Sequence, residues 1–451
     1  MKKRQKLELN IDEMAIGGRS YAYHEGKKIE LKGGIKGQKA NILIKKVRRK
    51  KIEGKILEVL ERSPLETNEV CPHFGICGGC SYLSLPYETQ AKLKEEMVLN
   101  LFKEEEIEGF EYEGLISSPL KYNYRNKMEY TFGNEEKDGP TTLGMHKKGR
   151  SFDIITVDKC KIVQTDYNNI LKSTLEFFKS KDIPHYNKVL HQGYMRYLII
   201  RKGFKTGELM VHIVTSTQVE FNMDEFKDML LNLNLEGNIV SILHSLDDNM
   251  SDAVTPDETK LIYGKDFIRE ELFDLKFNIS PFSFFQTNTY GAEKLYEVVR
   301  EYLGESKDKT IFDLYCGTGT ISQIVSKDAK EVIGIEIVEE AVDAAVDNAI
   351  LNGISNVRFI AGDVKEEVKK LKSNPDVIIV DPPRMGIHNN AISDIVSFDA
   401  KEIIYVSCNA KTLMPNLKSF ILNDYKITKV KAVDMFPNNP HVEVVCHLAK
   451  N

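Results

Sequence analysis

The amino-acid sequence predicts an α/β protein built from three parts. From residue 290 onward, short apolar runs alternate with amphipathic segments, which is the rhythm of a parallel, doubly wound sheet. Residues 1–62 contain short alternating runs separated by glycines, which predict a small antiparallel β-barrel. Because 451 residues exceed one ordinary core, we divide the chain into an N-terminal barrel (1–62), a central mixed α+β domain (63–275) and a C-terminal Rossmann-like domain (276–451).

Composition places the chain among ordinary globular proteins. Apolar residues make up 42% and charged residues 29% of the sequence, and no run of about eighteen apolar residues occurs. The lysine-rich start, residues 1–6, leads into no hydrophobic stretch, so we expect neither a membrane span nor a secretory signal, and a cytoplasmic location. Nothing in the sequence indicates an obligate protein partner. Seven cysteines without a secretory signal favour metal binding or catalysis over disulfides.

The N-terminal part is strongly basic. Residues 1–60 contain 17 Lys/Arg and 7 Asp/Glu, a balance of +10, although the whole chain has a net charge of −5. Lys45, Lys46 and the run 48–51 supply the densest charge. Small β-barrels with basic flanks often bind nucleic acid, so we expect a polyanion as partner. The alternative is a lysine-rich surface that is merely solvated.

The central domain is predicted to mix helices and strands. A helix is predicted over 87–102, where Leu93, Met97 and Leu101 recur at helical spacing. We expect the helical segment near 87–112 to pack on the C-terminal domain. Strands are predicted near 127–132, 195–201, 208–215 and 239–245 in this domain, and at 310–314, 331–336, 356–360, 376–380, 402–406 and 427–433 in the C-terminal domain.

A nucleotide-binding glycine loop follows the strand at 310–314. Gly317 and Gly319 let the backbone approach a ligand closely, and the lysine of a phosphate-binding P-loop is missing. Asp313 is placed to hold a cationic or hydroxyl group. Glu336 ends the second strand, where an acid binds ribose hydroxyls, and Asp363 ends the third, where it can accept from an adenine amino group. This order of acids favours S-adenosylmethionine over NAD; the alternative is a structural turn.

Cys408 follows a short apolar run, 403–407, that ends in a polar turn. A thiol at the carboxyl end of such a strand lies at the rim of the sheet, where it can reach a bound ligand. We interpret Cys408 as a covalent catalyst, with a buried inert thiol as the alternative. A neighbouring helix amino terminus would lower its pKa. The prolines of 381–384 (Asp-Pro-Pro-Arg) hold another strand-end turn rigidly extended, with Asp381 facing the crevice.

A separate set of four cysteines indicates a metal site. Cys71, Cys77 and Cys80 follow the spacing C-x5-C-x2-C, and Cys160 lies much later in the chain. Four thiolates satisfy either a closed zinc site or a 4Fe–4S cluster, and the spacing does not choose between them.

Two segments of the central domain, 122–128 and 143–150, combine aromatic, amide and cationic side chains. Stacking together with phosphate charge is how proteins hold single-stranded RNA loops. Arg125, Lys127 and Arg150 are therefore predicted RNA contacts. The alternative is a pair of hairpin turns on a solvated face.

Three motifs occur together in one order: 381–384, 406–409 (Val-Ser-Cys-Asn) and 436–443, which begins Phe-Pro and ends His-Val-Glu. In this combination the chain resembles the RNA uracil-carbon-5 methyltransferase family over nearly its whole length. The likeness is to the 23S ribosomal RNA branch, which carries a TRAM domain and an iron–sulfur cluster. The resemblance implies methyl transfer from S-adenosylmethionine to a uridine, and a TRAM domain at 1–62.

The resemblance also implies individual roles. Cys408 is the nucleophile and Glu443 is the base. The 4Fe–4S cluster is favoured over zinc at the four cysteines. Tyr315 stands where many members have Phe. The sequence of 437–441 differs from relatives, which often carry Thr and further His there, and this leaves the detail of the uracil contacts open. The implied cofactor contacts are Gln286, Tyr315, Glu336 and Asp381, with Asp363 as a further candidate.

The chemistry explains why a thiol and a base are both needed. Addition of a thiolate to carbon 6 of uracil makes carbon 5 nucleophilic, and the proton on carbon 5 must leave before the thiol can depart. A stacked base hides carbon 6, so the target must be flipped or lie in a loop.

The sequence leaves other functions open. Transfer RNA is the main competing substrate, although the barrel and the cysteine set tilt the prediction toward ribosomal RNA. A non-catalytic RNA-binding protein with a methyltransferase shell, and a small-molecule methyltransferase with a zinc module, are the other two alternatives. The sequence does not identify the particular uridine, the number of sites or the oligomeric state.

Overall fold

The computed structural model describes residues 1–48, 51–68, 71–251, 253–367, 370–371 and 374–451. Arg49 and Lys50 of the predicted basic run lie outside these residues. Within the described ranges, no helix is long and apolar enough to cross a membrane.

The N-terminal part is a β-sheet with one apolar face. Alternate residues of its strands, including Ala22, Ile29, Ala40 and Ile42, are fully buried. The predicted β-rich N-terminus is therefore confirmed, whereas closure into a barrel stays a prediction, since β1 and β2 stand at opposite ends of the strand order. The strands are β1 (Lys6–Asn10), β2 (Glu13–Ala15), β3 (Arg19–His24), β4 (Lys27–Lys32), β5 (Lys39–Arg48) and β6 (Lys51–Glu61), paired in the order β1-β5-β6-β4-β3-β2.

The central part holds a second sheet covered by two helices. The predicted helix and the four predicted strands are present. The elements are α1 (Tyr87–Glu104), β7 (Glu111–Ile116), β8 (Lys127–Asn134), β9 (Thr141–His146), β10 (Ile154–Thr156), α2 (Thr165–Ser180), β11 (Met195–Lys202), β12 (Glu208–Thr215), α3 (Asp224–Leu231), β13 (Asn238–Leu246), β14 (Glu258–Gly264), β15 (Ile268–Leu272) and β16 (Leu275–Ile279). The sheet order is β10-β9-β8-β11-β12-β13-β14, and β15 and β16 form a separate hairpin.

The C-terminal part alternates strands and helices as predicted. Its elements are α4 (Thr289–Leu303), β17 (Thr310–Leu314), α5 (Thr320–Ser326), β18 (Glu331–Glu336), α6 (Glu339–Leu351), β19 (Val357–Ala361), α7 (Val364–Glu367), β20 (Val377–Val380), α8 (Asn389–Val396), β21 (Glu402–Ser407), α9 (Ala410–Ile421), β22 (Tyr425–Val433) and β23 (Glu443–Lys450). The sheet order is β19-β18-β17-β20-β21-β23-β22-β7.

The expectation of a wholly parallel sheet is wrong at one end. Strands β17 to β21 pair in parallel, but β23 runs antiparallel between β21 and β22. The reason is the short connection 434–442, because a parallel return would need a crossover of roughly a dozen residues or more. This reversal brings the amino end of β23 to the sheet edge where the parallel strands end.

The large sheet is buried on both faces, as its continuous apolar strands require. Phe312 and Leu314 of β17 pack into one core, which α1 also enters through Leu93 and Met97. Ile311 packs into the core on the opposite face, beneath α4. The β7 strand of the central part extends the same sheet by pairing with β22. The central and C-terminal parts therefore share one core.

Candidate active site

The glycine loop after β17 has the backbone geometry of a close ligand contact. Gly317 and Gly319 have φ angles of +54° and +70°, in the left-handed region that glycine adopts without strain. A Cβ atom on Gly319 would lie 2.5 Å from the Phe359 ring. The Gly317 amide donates a 3.0 Å hydrogen bond to the Glu336 carboxylate. The loop and Glu336, both predicted as cofactor-binding elements, are thus in contact.

Asp313 is a buried carboxylate at the end of β17. Ser322 donates a hydrogen bond to its Oδ2 atom, but within the described residues Oδ1 has no hydrogen-bond partner. Burial raises the pKa of Asp313 to about 7. A buried acceptor without a donor is costly, so this oxygen fits a cationic ligand group, such as the amine of S-adenosylmethionine.

Tyr315 and Asp363 lie at the same end of the sheet as Glu336. Tyr315 has a φ angle of +66° directly after β17. Its pKa is raised to about 12 by burial and then by the nearby Asp363 and Glu336 charges. The structure therefore brings these three predicted cofactor residues together.

Tyr296 of α4 links the remaining predicted residues, and the sequence analysis missed it. Burial raises its pKa well above the ordinary value, the charges of Asp381, Asp313 and Glu443 raise it further, and a hydrogen bond with Gln286 lowers it. This buried tyrosine thus lies among the residues assigned to the cofactor and the base. Its only sequence signal is a place on the apolar face of α4.

Cys408 and Glu443 meet because β21 and β23 are antiparallel. The last recorded pair in this ladder is Ser407 with Val444. The next position in that register places Cys408 opposite Glu443. Asp381 follows β20, the neighbouring parallel strand. The nucleophile, the base and the acid predicted from the sequence therefore share one sheet edge.

Glu443 is almost fully buried, with 3% of its surface exposed. Burial, and then the Asp381 charge, raise its pKa to about 8 against the lowering effect of Arg384. The pKa of Asp381 is also raised, to about 7, by burial and then by Asp313. A carboxyl group with a pKa near neutrality is suited to proton transfer at physiological pH.

The expectation of a lowered Cys408 pKa is wrong. The thiol is half-buried directly before the Asn409 N-cap of α9, but burial, followed by the charges of Glu443 and Asp381, raises its pKa to about 11. Two carboxylates and desolvation thus outweigh the helix terminus. Arg384 is the side-chain cation that opposes them.

Arg384 and His441 are further site residues to which the sequence analysis gave no role. Arg384 Nη2 lies 3.3 Å from His441 Nδ1. The pKa of His441 is lowered to about 4 by burial and then by Arg384, so the imidazole is neutral. The backbone carbonyl of Arg384 accepts a hydrogen bond from the Asn409 side chain, which joins the 381–384 turn to the cysteine turn. The signal for both residues is their place in the three motifs.

A cavity of about 640 Å³ lies beside this site. Arg125 and Lys127 line it together with Phe284 and His441, so two of the three predicted RNA contacts face a shared space. Arg150 is instead an exposed side chain between β9 and β10, 3.8 Å from Asp153. The structure does not bring Arg150 together with the other two residues.

The four predicted metal-ligating cysteines also border this cavity: Cys71, Cys77, Cys80 and Cys160. Burial raises the pKa values of three of these thiols, and their neighbours raise them further. The described residues contain no group of three or more His, Cys, Asp or Glu side chains arranged to hold a metal ion. The thiols are therefore gathered at one cavity but not in coordination geometry.

Comparison with known proteins identifies the family. The family described as tRNA (Uracil-5-)-methyltransferase matches residues 86–451. The chain is 50% identical over 450 residues to an RNA methyltransferase of Clostridium tetani, covering 100% of this chain and 99% of that protein. It is 47% identical over 451 residues to an RNA methyltransferase of Caldanaerobacter subterraneus subsp. tengcongensis, covering 100% of both.

A solved structure supports the fold and the cofactor. The crystal structure of Pyrococcus abyssi tRNA (uracil-54, C5)-methyltransferase in complex with S-adenosyl-L-homocysteine is similar, with a TM-score of 0.75 and 27% sequence identity. The match covers 98% of this chain and 100% of that chain. The α/β fold of S-adenosylmethionine-dependent methyltransferases, predicted from the strand rhythm and the glycine loop, is thereby confirmed. The chain belongs to the tRNA (uracil-5-)-methyltransferase family.

Proposed function

We propose that this protein transfers a methyl group from S-adenosylmethionine to carbon 5 of a specific uridine in RNA, through a covalent Cys408 adduct resolved by Glu443. The observation that carries the proposal is the antiparallel β21–β23 pair. It sets a thiol beside a buried carboxyl group at the edge where the glycine loop lies. A non-catalytic RNA-binding shell would have no need of this pairing.

Cys408 and Glu443 act in turn on the uracil ring. The Cys408 thiolate forms a bond to carbon 6 of uracil, and the electron pair of the 5,6 double bond moves toward the O4 oxygen. Carbon 5 then takes the methyl group that the bound cofactor would supply, and the electron pair of the broken carbon–sulfur bond would remain with the cofactor. The Glu443 carboxylate removes the proton from carbon 5. The double bond re-forms, and Cys408 leaves as a thiolate.

Arg384 is the nearby cation that favours ionisation of both reacting groups. It lowers the pKa of Cys408 and that of Glu443. It therefore favours the thiolate needed for addition and the carboxylate needed for proton removal. Desolvation opposes both ionisations.

Several residues of this chain would hold the cofactor, which supplies an electrophilic methyl group when bound. The unpartnered Asp313 Oδ1 fits its amine, and Glu336 at the end of β18 fits its ribose hydroxyls. The other residues proposed to contact it are Gln286, Tyr315, Asp363 and Asp381.

We propose 23S ribosomal RNA as the substrate, because the four-cysteine pattern resembles that branch of the family. Transfer RNA is a second candidate, favoured by one observation. The Pyrococcus abyssi transfer-RNA enzyme matches 98% of this chain, so the presence of an N-terminal part does not separate the two substrates. Mapping 5-methyluridine by mass spectrometry in ribosomal and transfer RNA, with and without the gene, decides between them. Absence of any gene-dependent 5-methyluridine would refute the proposed function.

We also propose that Cys71, Cys77, Cys80 and Cys160 hold a 4Fe–4S cluster, with zinc as the alternative. The donor set fits, because four partly buried thiols border one cavity, and a bound cation would stabilise them as thiolates. A cluster there would cross-link the 71–80 segment to the strand region around Cys160. Anaerobic purification with iron, sulfide and zinc analysis tests this. One equivalent of zinc without iron would contradict the cluster.

The N-terminal sheet, as a TRAM domain, is proposed to bind RNA in the cytoplasm beside the active site. Its Gly18 packs against Pro440, close to the base. Arg19 and Lys51 of this sheet are near enough to Lys411 to lower its pKa, after desolvation. Cationic side chains of the N-terminal sheet thus lie near Lys411 of α9, three residues after Cys408. Removing residues 1–62 should flatten the salt dependence of RNA binding.

A further inference from the structure

The connection between β22 and β23, residues 434–442, determines where Glu443 enters the site. Its polar groups bond to distant parts of the chain. Tyr124 Oη donates a 2.9 Å hydrogen bond to the Pro437 carbonyl, and Asn288 Nδ2 donates one of 2.9 Å to the Met435 carbonyl. The path of this segment is therefore fixed from outside as well as by its own turn, in which the Phe436 amide donates to Asp434 Oδ1.

The first of two contacts with helix α1 is a buried ion pair. Lys94 Nζ lies 2.7 Å from Asp434 Oδ1, and both side chains are 0% exposed. Lys94 also donates a 2.9 Å hydrogen bond to the Phe436 carbonyl. Tyr87 Oη donates to the other Asp434 oxygen at 3.1 Å. One lysine thus holds two points of the connection.

The second contact joins Gln90 to Asn438. Gln90 Oε1 accepts a 2.8 Å hydrogen bond from the backbone amide of Asn438, and Gln90 Nε2 donates one of 3.1 Å to the side-chain oxygen Oδ1 of Asn438. Asn438 has a φ angle of +67°, a left-handed conformation that needs such support. Its carbonyl accepts from the amides of Ser81 and Tyr82, which directly follow a cysteine of the predicted cluster.

Burying these charged and polar groups costs free energy, because they lose their contacts with water. Replacing a buried ion pair by apolar side chains of similar volume is often neutral or stabilising. The presence of the Lys94–Asp434 pair is therefore weak evidence that the pair serves to stabilise the fold. A lysine and a glutamine on one face of α1 instead specify a single path for residues 434–439. That path ends at His441 and Glu443.

We propose that Gln90 and Lys94 are positioning residues that set the Glu443 carboxylate for the last step of the reaction. This inference rests on the proposed function. Glu443 acts only after methyl transfer, whereas Cys408 stands on the separate β21–α9 turn. Loosening the connection should therefore slow release of the methylated base and leave adduct formation intact. A misplacement of ~1 Å can cost roughly 10²-fold in rate.

The test compares Gln90→Met with the wild type and with Glu443→Gln, using the full-length protein, S-adenosylmethionine and a labelled RNA that the wild type methylates. Denaturing electrophoresis measures the covalent protein–RNA adduct against time. Gln90→Met should form adduct at the wild-type rate and release it at least tenfold more slowly. Lys92→Met, on the exposed side of the same helix, is the matched control and should behave as wild type.

A second variant covers the case in which Gln90→Met does not fold. In the double variant Lys94→Met with Asp434→Asn, the charges are removed together, and the same slow release is expected. Wild-type release from these variants, while Glu443→Gln retains its adduct, overturns the positioning role and leaves the proposed function standing. Normal turnover without adduct in Glu443→Gln overturns the proposed function itself.

Discussion

Replacing Glu443 by glutamine should stabilise the protein while it abolishes turnover. The carboxyl group has a pKa of about 8 in the folded state, against an ordinary value of 4.5. At pH 7 the unfolded chain therefore ionises this group and the folded chain does not. Because pH 7 lies 2.5 units above the ordinary pKa of 4.5, ionisation of Glu443 in the unfolded chain favours unfolding by about 3 kcal/mol. Glutamine has a similar size and does not ionise.

The sign of the pH dependence follows from the raised pKa. Below pH 4.5 both states are protonated, so wild type and Glu443→Gln should have similar stability. As pH rises from 4.5 to about 8, the wild type should lose stability relative to the variant, and above that the gap should stay constant. At pH 7 this difference in stability corresponds to roughly 6–12 °C in melting temperature for a domain the size of the C-terminal part, residues 276–451.

Thermal unfolding followed by circular dichroism, without RNA or S-adenosylmethionine, measures this gap from about pH 5 to about pH 8. Glu340→Gln is the matched control, because Glu340 is exposed on α6; its curve should run parallel to the wild type. If the melting temperature of Glu443→Gln also follows the wild type across this pH range, Glu443 is not a buried group whose ionisation is suppressed by folding.

Three further outcomes are expected. Asp313→Asn should weaken binding of S-adenosylmethionine by at least tenfold in calorimetry, because the free carboxylate oxygen is lost; unchanged affinity would remove Asp313 from the amine site. Arg125→Ala with Lys127→Ala should weaken RNA binding and lower the salt slope by about 1 per lost phosphate contact, whereas Arg150→Ala, away from the cavity, should do less; equal effects would contradict a cavity-centred RNA site. Arg384→Met should move the rising limb of the pH–rate profile of methyl transfer to higher pH, since this cation lowers the pKa of Cys408 and the thiolate is the reactive form; an unmoved limb would show that Arg384 does not tune the thiol.

Local patterns were enough to predict most of the C-terminal fold. Buried runs such as 402–406 have few ways to satisfy both an apolar side chain and a polar backbone, so β21 appears nearly where it was expected. The glycine loop was equally predictable, because Gly319 combines a left-handed backbone with close packing on Phe359. These features depend on few distant residues.

Features that depend on distant pairing were not predictable from local pattern. The β7 strand joins β22 across more than 300 residues of chain, and the antiparallel placement of β23 depends on the length of its connection. The pKa of Cys408 depends on Glu443, Asp381 and Arg384 together, which no single motif contains. Motif identity thus located the thiol, whereas its electrostatic environment required the fold.

In the proposed reaction, Cys408 bonds to uracil and Glu443 is needed to break that bond. The most direct measurement is mass spectrometry of protein recovered from RNA and S-adenosylmethionine under denaturing conditions. Glu443→Gln should carry a methylated RNA fragment on the peptide that contains Cys408, and Cys408→Ala should carry none and produce no 5-methyluridine. Formation of 5-methyluridine by Cys408→Ala at the wild-type rate would contradict the mechanism.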